Sequence, residues 1–331
     1  MKILVVRFSS IGDVVLTTPI VRCLKEQLPN ATIHFITKKN FVSLIDQNPN
    51  IDKVIAIQSS INEVISDLKK EKYDWVIDLH KNFRTLSLKQ KLKVPSRSFP
   101  KMNIEKWMLV KFKLDRMPKI HIVDRYFETV KHLGVENDFL PCDFYISSDS
   151  NVSIFNTFGI ETSFLAIAIG AQFSTKRLPL NKLEEIISKI NYPIVLVGGQ
   201  MDADLAATLI SSFPDKIIKN ACGGFNLQQS ASIVKQSKVL LTNDTGLMHI
   251  ASCFAIPIVS VWGNTVPSLG MYPYFPKSPE LFSIHEVKNL NCRPCSKIGY
   301  KACPKSHFNC MNLQNSIEII EDINFRMSIN D

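Results

Sequence analysis

The chain is predicted to be an α/β protein of two domains, each built on a parallel sheet, and three observations predict it. Its 331 residues exceed what one ordinary hydrophobic core organises. Short apolar strands alternate with helical segments along the chain, the pattern of parallel sheets covered on both faces. The alternation begins afresh after a polar stretch at 147–153 and a Phe158-Gly159 turn. Hydrophobic residues make up 45% and charged residues 21%, with no low-complexity run, so the whole chain is expected to be globular.

The first strand, Lys2-Ile3-Leu4-Val5-Val6, is a β-branched run suited to burial on both faces. Ser9, Ser10, Gly12 and Asp13 form the turn after it. Val14–Leu28 reads as a helix with Pro19 near its first turns, stopped by Pro29-Asn30. Ala31–Thr37 and Val54–Ile57 are the next strands. A polar helix with Val64, Ile65 and Leu68 on one face then leads into a strand at Tyr73–Leu79. In the second half Phe164–Ile169, Ile194–Val197, Lys216–Ile218, Val239–Thr242 and Ile258–Val261 read as strands. Helices at Leu183–Ile190, Ala203–Ser211, Leu227–Gln236 and Met248–Phe254 separate them. Ligands of such sheets bind beyond the carboxyl ends of the strands, so two domains facing each other would line one cleft.

Residues 3–21 are apolar enough to suggest a secretory signal. Arg7 and Asp13 interrupt that run, however, and neither a basic leader nor a small-residue cleavage site flanks it. No later stretch approaches the roughly 20 apolar residues that span a bilayer. A cytoplasmic protein is expected, its eight cysteines reduced.

The net charge is +9, and the basic residues are unevenly spread. Lys81, Arg84, Lys89, Lys91, Lys93, Arg97, Lys101, Lys106, Lys111, Lys113, Arg116 and Lys119 crowd one region opposed only by Glu105 and Asp115. Such a run suits a polyanion (nucleic acid, an anionic membrane or an acidic glycolipid) or is a solvated face.

Asp13 lies just past the first strand where a helix begins. It is either an N-terminal capping carboxylate or a general base at the edge of a site. A helix N-terminus keeps such a carboxylate ionised and makes it a weak base, suited to a hydroxyl proton that leaves late. Ser9, Ser10 and Gly12 let the backbone approach a ligand closely. Asn243-Asp244-Thr245-Gly246 likewise follows a strand and opens a helix, where the Thr245 and Gly246 amides suit phosphate oxygens without a metal. His249 lies three residues on, on the same helical face. The competing reading has Asp244 or Thr245 capping the helix and His249 in the core. Lys176, after the strand at 164–169, suits a departing diphosphate, or belongs to a surface basic pair with Arg177. Asp202-Ala203-Asp204 reads as helix capping.

Cys292-x2-Cys295-x7-Cys303-x6-Cys310, with His307 nearby, has enough thiolates for a four-coordinate structural zinc. Free or locally packed thiols and disulfides are the alternatives. No G-x-G-x-x-G follows a predicted strand and no G-x-x-x-x-G-K-[ST] occurs, so dinucleotide redox and P-loop chemistry lack their signatures.

With these loops in view, the chain resembles the heptosyltransferases of glycosyltransferase family 9, which move heptose from an ADP-sugar onto the lipopolysaccharide inner core. The resemblance runs through Met1–Val14, Asp78-Leu79-His80, His121-Ile122-Val123-Asp124-Arg125, Asn243–His249 and Trp262-Gly263. It implies a GT-B fold of two Rossmann-like domains facing across a cleft, an inverting mechanism and Asp13 as base. The acceptor domain is then 1–158 and the nucleotide-sugar domain 159–312. Residues 313–331 carry a helix, around Ile317–Phe325, that crosses back onto the first domain. Donor contacts are expected from Ser9, Ser10, Gly12, Lys176, Gly199, Gln200, Asp244, Thr245, Gly246 and His249, where Gln200 replaces the acidic residue the family often carries. Lys81, Arg84 and Arg97 are expected to hold an anionic glycolipid acceptor at the inner face of the inner membrane. No cofactor is needed for catalysis, and nucleic acid is not an expected partner. The rival readings are a nucleotide-sugar epimerase of the same architecture and a non-enzymatic polyanion-binding protein.

Overall fold

The structure, a computed structural model, describes residues 1–329. They form two compact units, one of residues 1–102 and 120–145, the other of residues 103–119 and the chain from 146 onward. The segment 146–158, expected in the first domain, thus belongs to the second unit.

The first unit is built on five parallel strands: β1 (Lys2–Val6), β2 (Thr32–Lys38), β3 (Lys53–Ile57), β4 (Trp75–Asp78) and β5 (Ser96–Ser98). Their order is β3-β2-β1-β4-β5. The chain leaves β1 toward β2 and β3, then returns to the other side of β1 as β4. The loops after β1 and β4 therefore part at a topological switch point, the usual place for a ligand crevice in such sheets. Val6 is in register with Asp78, so both loops start at the same level.

The helix expected at 14–28 is two helices, Ile11–Val15 and Thr18–Gln27. Pro19 has no amide to donate, and its ring would clash with the carbonyl four residues back, so it fits only in a first turn. Thr17 and Thr18 finish the break by donating their hydroxyls to the carbonyls of Val14 and Val15, at 2.6 and 2.8 Å.

The second unit has six parallel strands: β6 (Leu165–Ala168), β7 (Ile194–Val197), β8 (Ile218–Asn220), β9 (Val239–Asn243), β10 (Ile258–Trp262) and β11 (Phe282–Glu286). The order β11-β10-β9-β6-β7-β8 puts the switch point between β6 and β9, where Ala168 faces Thr242. Alternate residues supply the two faces. Leu165, Ile167, Leu196, Leu241 and Val259 pack with one layer of helices, and Ala166, Ala168, Val195, Leu240 and Ile258 with the other.

The last helix, Ser316–Ser328, is grouped with the second unit. Ile319, Ile323 and Met327, spaced for one helical face, are fully buried against the face carrying Leu241 and Val259. Asp322 ties the same helix to edge strand β11, accepting from Ser283 Oγ, pairing with His285 Nε2 at 2.8 Å and receiving Arg326 Nε at 2.7 Å. Among the described residues no helix is long and apolar enough to cross a membrane.

Ile323→Ala should destabilise the second unit by about 2–5 kcal/mol, the cost of an emptied core position. Native-state hydrogen exchange locates the loss. Amides of β9 and β10 should exchange faster while those of β1 keep their rates.

Candidate active site

The first candidate site is organised by a buried guanidinium. Arg7 follows β1 directly and is 7% exposed. Its Nη2 pairs with Asp13 Oδ1 at 2.5 Å and its Nε donates to the Ser9 carbonyl at 2.8 Å. Its Nη1 donates to the Leu79 carbonyl and, at 3.2 Å, to Tyr126 Oη. Burial opposes the Arg7 charge, but Asp13, Tyr126 and Asp78 together outweigh it and the guanidinium is held above its ordinary pKa. The other Asp13 oxygen, Oδ2, accepts from Ser10 Oγ at 2.7 Å and the Ser10 amide at 3.2 Å. Asp13 is therefore a first-turn capping residue and Arg7's ion partner at once, its side chain 18% exposed. Sequence reasoning saw Arg7 only as a break in an apolar run. Its partners Leu79 and Tyr126 stand 72 and 119 residues away, and no local pattern announces them.

The loop after β4 closes the other side of this switch point. Asp78, fully buried, accepts from the amides of His80 and Lys81 and pairs with Lys89 at 2.9 Å. Burial would raise its pKa; the Lys81 amide and the Lys89 ammonium reverse that and hold it low. Lys101 Nζ donates to the carbonyls of His80 and Lys81, at 3.1 Å each. The His80 ring rests against Phe8, centroids 5.3 Å apart, and its Nδ1 is buried without a hydrogen bond. Burial, helped by the charges of Arg7 and Lys101, pushes its pKa down to about 4. Of the acceptor candidates, Lys81, Arg84 and Arg97 are exposed, and the Arg97 guanidinium lies 6.0 Å from the Trp75 ring centre. The basic run at 81–119 is divided between the two units. Lys89, Lys101 and Lys113 are spent on local hydrogen bonds, and 103–119 belongs to the second unit.

The second candidate site gathers residues from the loops after β6 and β9. Lys176 Nζ meets Asp244 Oδ2 at 2.6 Å, and Thr265 Oγ1 donates to the same oxygen at 2.7 Å. Asp244 thus holds the lysine and does not cap the helix. Thr245, the residue before helix Gly246–Ser252, makes no side-chain capping bond either. His249 is buried within that helix, 2% exposed. Asn243 locks the two loops together, receiving the Leu178 amide at 3.2 Å and donating to the Ala168 carbonyl at 3.2 Å.

On the β7 side, Asp202 accepts from the Gly199 amide at 2.9 Å, as a capping residue should, and pairs with Arg177 Nη1 at 3.1 Å. That pairing was not legible in sequence. Arg177 also grips the Ala171 carbonyl through Nε and Nη2, at 2.8 and 2.6 Å. Gly170 is required here, since a Cβ on it would stand 2.1 Å from Asp202 Oδ2. Gln200 is exposed and packs over Gly223, whose φ of +73° and 2.6 Å clearance to Gln200 Oε1 exclude a side chain.

The expected zinc has no support. Among the described residues no three His, Cys, Asp or Glu side chains form a group able to hold a metal ion. Cys292 Sγ approaches His307 Nε2 at 3.8 Å, while Cys310 is buried and its thiol pushed up to about 12. Burial favours the neutral thiol over the thiolate that zinc requires.

Two all-parallel α/β units, each with candidate groups at its switch point, define a protein of the GT-B class. The profile of glycosyltransferase family 9 (heptosyltransferase) matches residues 61–301, and the chain belongs to that family. It is a glycosyltransferase. It is similar to lipooligosaccharide heptosyltransferase 2 of Haemophilus influenzae, at 23% identity over 81% of this chain and 84% of the relative. Among solved structures it resembles a family 9 glycosyl transferase from Veillonella parvula (TM-score 0.79, 22% identity, 98% of this chain and 97% of that one). It also resembles the E. coli ADP-heptose lps heptosyltransferase II (TM-score 0.73, 18% identity, 99% and 98%).

The His80 pKa of about 4 gives a signed prediction. Between about pH 6.5, where an unfolded histidine protonates, and pH 4, the unfolded chain takes up a proton that the folded one refuses. Stability should therefore fall through that window as pH drops, and His80→Gln should flatten the slope. Urea midpoints against pH test the slope, and the His80 ring signals by NMR test the titration itself. A ring titrating near 6.5 contradicts the burial argument.

Proposed function

We propose that this glycosyltransferase moves heptose from an ADP-linked donor onto the lipopolysaccharide inner core or a related anionic glycolipid, with inversion at the anomeric carbon. The observation that carries the reading is the Lys176–Asp244 pair at the β6/β9 switch point, a cation at the place where open α/β sheets receive a nucleotide's phosphates. The names of the E. coli and Haemophilus relatives support heptose as the sugar and an ADP-heptose donor.

In this reading Asp13 takes the proton of the acceptor hydroxyl as that oxygen attacks the anomeric carbon. The bond from that carbon to the donor phosphate breaks, and ADP leaves with the electron pair. Asp13 later returns the proton to solvent. Arg7 and Ser10 hold the carboxylate at the edge of its loop so that orientation is fixed before the substrate arrives. Lys176, the Thr245 and Gly246 amides and His249 balance the charge growing on the leaving diphosphate. Gly199 and Gln200 border the nucleotide, and Ser9 and Gly12 leave room for the transferred sugar. Lys81, Arg84 and Arg97 take the acidic groups of the acceptor, which brings the enzyme to an anionic membrane surface.

Asp13→Asn should lower transfer by at least about a hundredfold while ADP affinity, read by calorimetry, stays within about twofold. Full turnover by that variant removes Asp13 as base. Lys176→Ala should weaken ADP binding about tenfold, or about 1.4 kcal/mol. Thermal shift with ADP, UDP and GDP and their sugars tests the donor, and ADP forms should stabilise most. Donor conversion without any acceptor would replace transfer by epimerisation.

A further inference from the structure

Helix Asn103–Phe112 and the segment after it carry apolar side chains that no core uses. Leu109 is buried, yet Ile104 is 70% exposed, Trp107 57%, Phe112 54% and Leu114 50%. Ile104, Trp107 and Met108 share one helical face by their spacing. The Trp107 and Phe112 rings meet edge to face, centroids 5.0 Å apart, so the aromatic pair is preformed. Cations surround it: Lys111, Arg116 and Lys119 are exposed, against Glu105 and Asp115.

The segment is also fixed in place. Lys113 Nζ donates to the carbonyls of Val110 at 2.8 Å, Cys292 at 3.2 Å and Pro294 at 2.6 Å, bolting the helix end to the cysteine-bearing loop. That loop adds the exposed Ile298, Lys297, Lys301 and Lys305, and 291–310 contains no acidic residue. Exposed Trp, Phe and Ile beside lysines, on a short helix lying on the protein surface, is the chemistry of an interfacial anchor. The aromatic rings suit the headgroup boundary and the ammonium groups suit anionic lipid.

We propose that helix Asn103–Phe112, with Leu114 and the Cys292–Cys303 loop, docks this enzyme on the surface of an anionic bilayer. Trp107 and Phe112 enter the headgroup region while Lys111, Arg116 and Lys119 meet lipid phosphates. The proposal deepens the glycolipid-acceptor reading and rests on it for the presence of a membrane. Docking itself is measured without donor or acceptor, so its failure leaves transfer untouched.

The test uses the full-length protein and phosphatidylcholine vesicles with and without about one-third phosphatidylglycerol. Wild type should co-sediment with the anionic vesicles, weaken with added salt, and show a blue shift of Trp107 emission against a Trp107→Phe control. Trp107→Ser with Phe112→Ser should lose at least about tenfold in partitioning, with ADP thermal shift confirming that the variant is folded. Lys111→Gln with Lys119→Gln should reduce binding to anionic vesicles and its salt sensitivity. No vesicle binding by wild type, equal binding by the aromatic variant, or sedimentation without a Trp107 shift would each overturn the proposal. A dimer that forms without vesicles and vanishes in the aromatic variant would assign this face to a second copy instead.

Discussion

Parallel strands buried on both faces leave room for apolar side chains along their length and tolerate charge only where they end. That constraint sets where the chemistry of this protein stands. Along β1 the charges are Lys2 at the start and Arg7 just after the end, and β4 keeps Asp78 for its last position. In the second unit Asp244 is the first residue beyond β9. Because the strands are parallel, those ends lie on one edge of each sheet. Because the strand order reverses beside β1 and between β6 and β9, the loops that carry these groups part there. Much of the rest follows from satisfying charges that start so close to a dry core. Asp78 takes two loop amides and Lys89, and Asp202 takes the Gly199 amide and Arg177.

The strands at the centres of both sheets were legible in the sequence because burial on two faces leaves a continuous β-branched run. Ile194–Val197 matches its expected bounds to the residue. Two of the four edge strands were not. Ser96-Arg97-Ser98 and Phe282–Glu286 pair on one side only, carry polar residues and show no apolar run. The helix at 103–112 was hidden for a related reason: with one buried position, it has no apolar stripe separate from its lysines. The last helix had a clear apolar face, but a face does not name what it packs on; Ile323 and Met327 share a core with Leu241 and Val259.

The candidate loops were legible as loops and less so as constellations. Ser10, Gly12 and Asp13 are neighbours in sequence, so their mutual bonding is a local capping pattern that four residues can encode. Lys176 and Asp244 lie 68 residues apart, and their meeting depends on β6 and β9 being adjacent strands. Arg177 with Asp202 and Arg7 with Tyr126 have the same origin. Each links segments that only the topology brings together, which is why reasoning on single loops missed the pairs. The cysteine segment failed in the opposite direction. Its spacing suggested a metal, yet its role in the fold is carried by backbone carbonyls at Cys292 and Pro294, which spacing does not report.

The two candidate sites differ in how firmly their charges are held, and the difference suits different work. Arg7, itself buried, makes four interactions from three nitrogens to four residues. Removing it from Asp13 would leave a guanidinium without water, so the pair behaves as a fixed part. Lys176 rests on one carboxylate oxygen, and that oxygen keeps the Thr265 hydroxyl if the lysine leaves. An ammonium on a four-carbon stem exchanges a carboxylate for a phosphate with little change in its own hydration or geometry. A fixed carboxylate and a movable cation suit the proposed transfer from a diphosphate donor. The group that receives a proton must already be oriented, and the group that follows the leaving oxygens must be able to move with them.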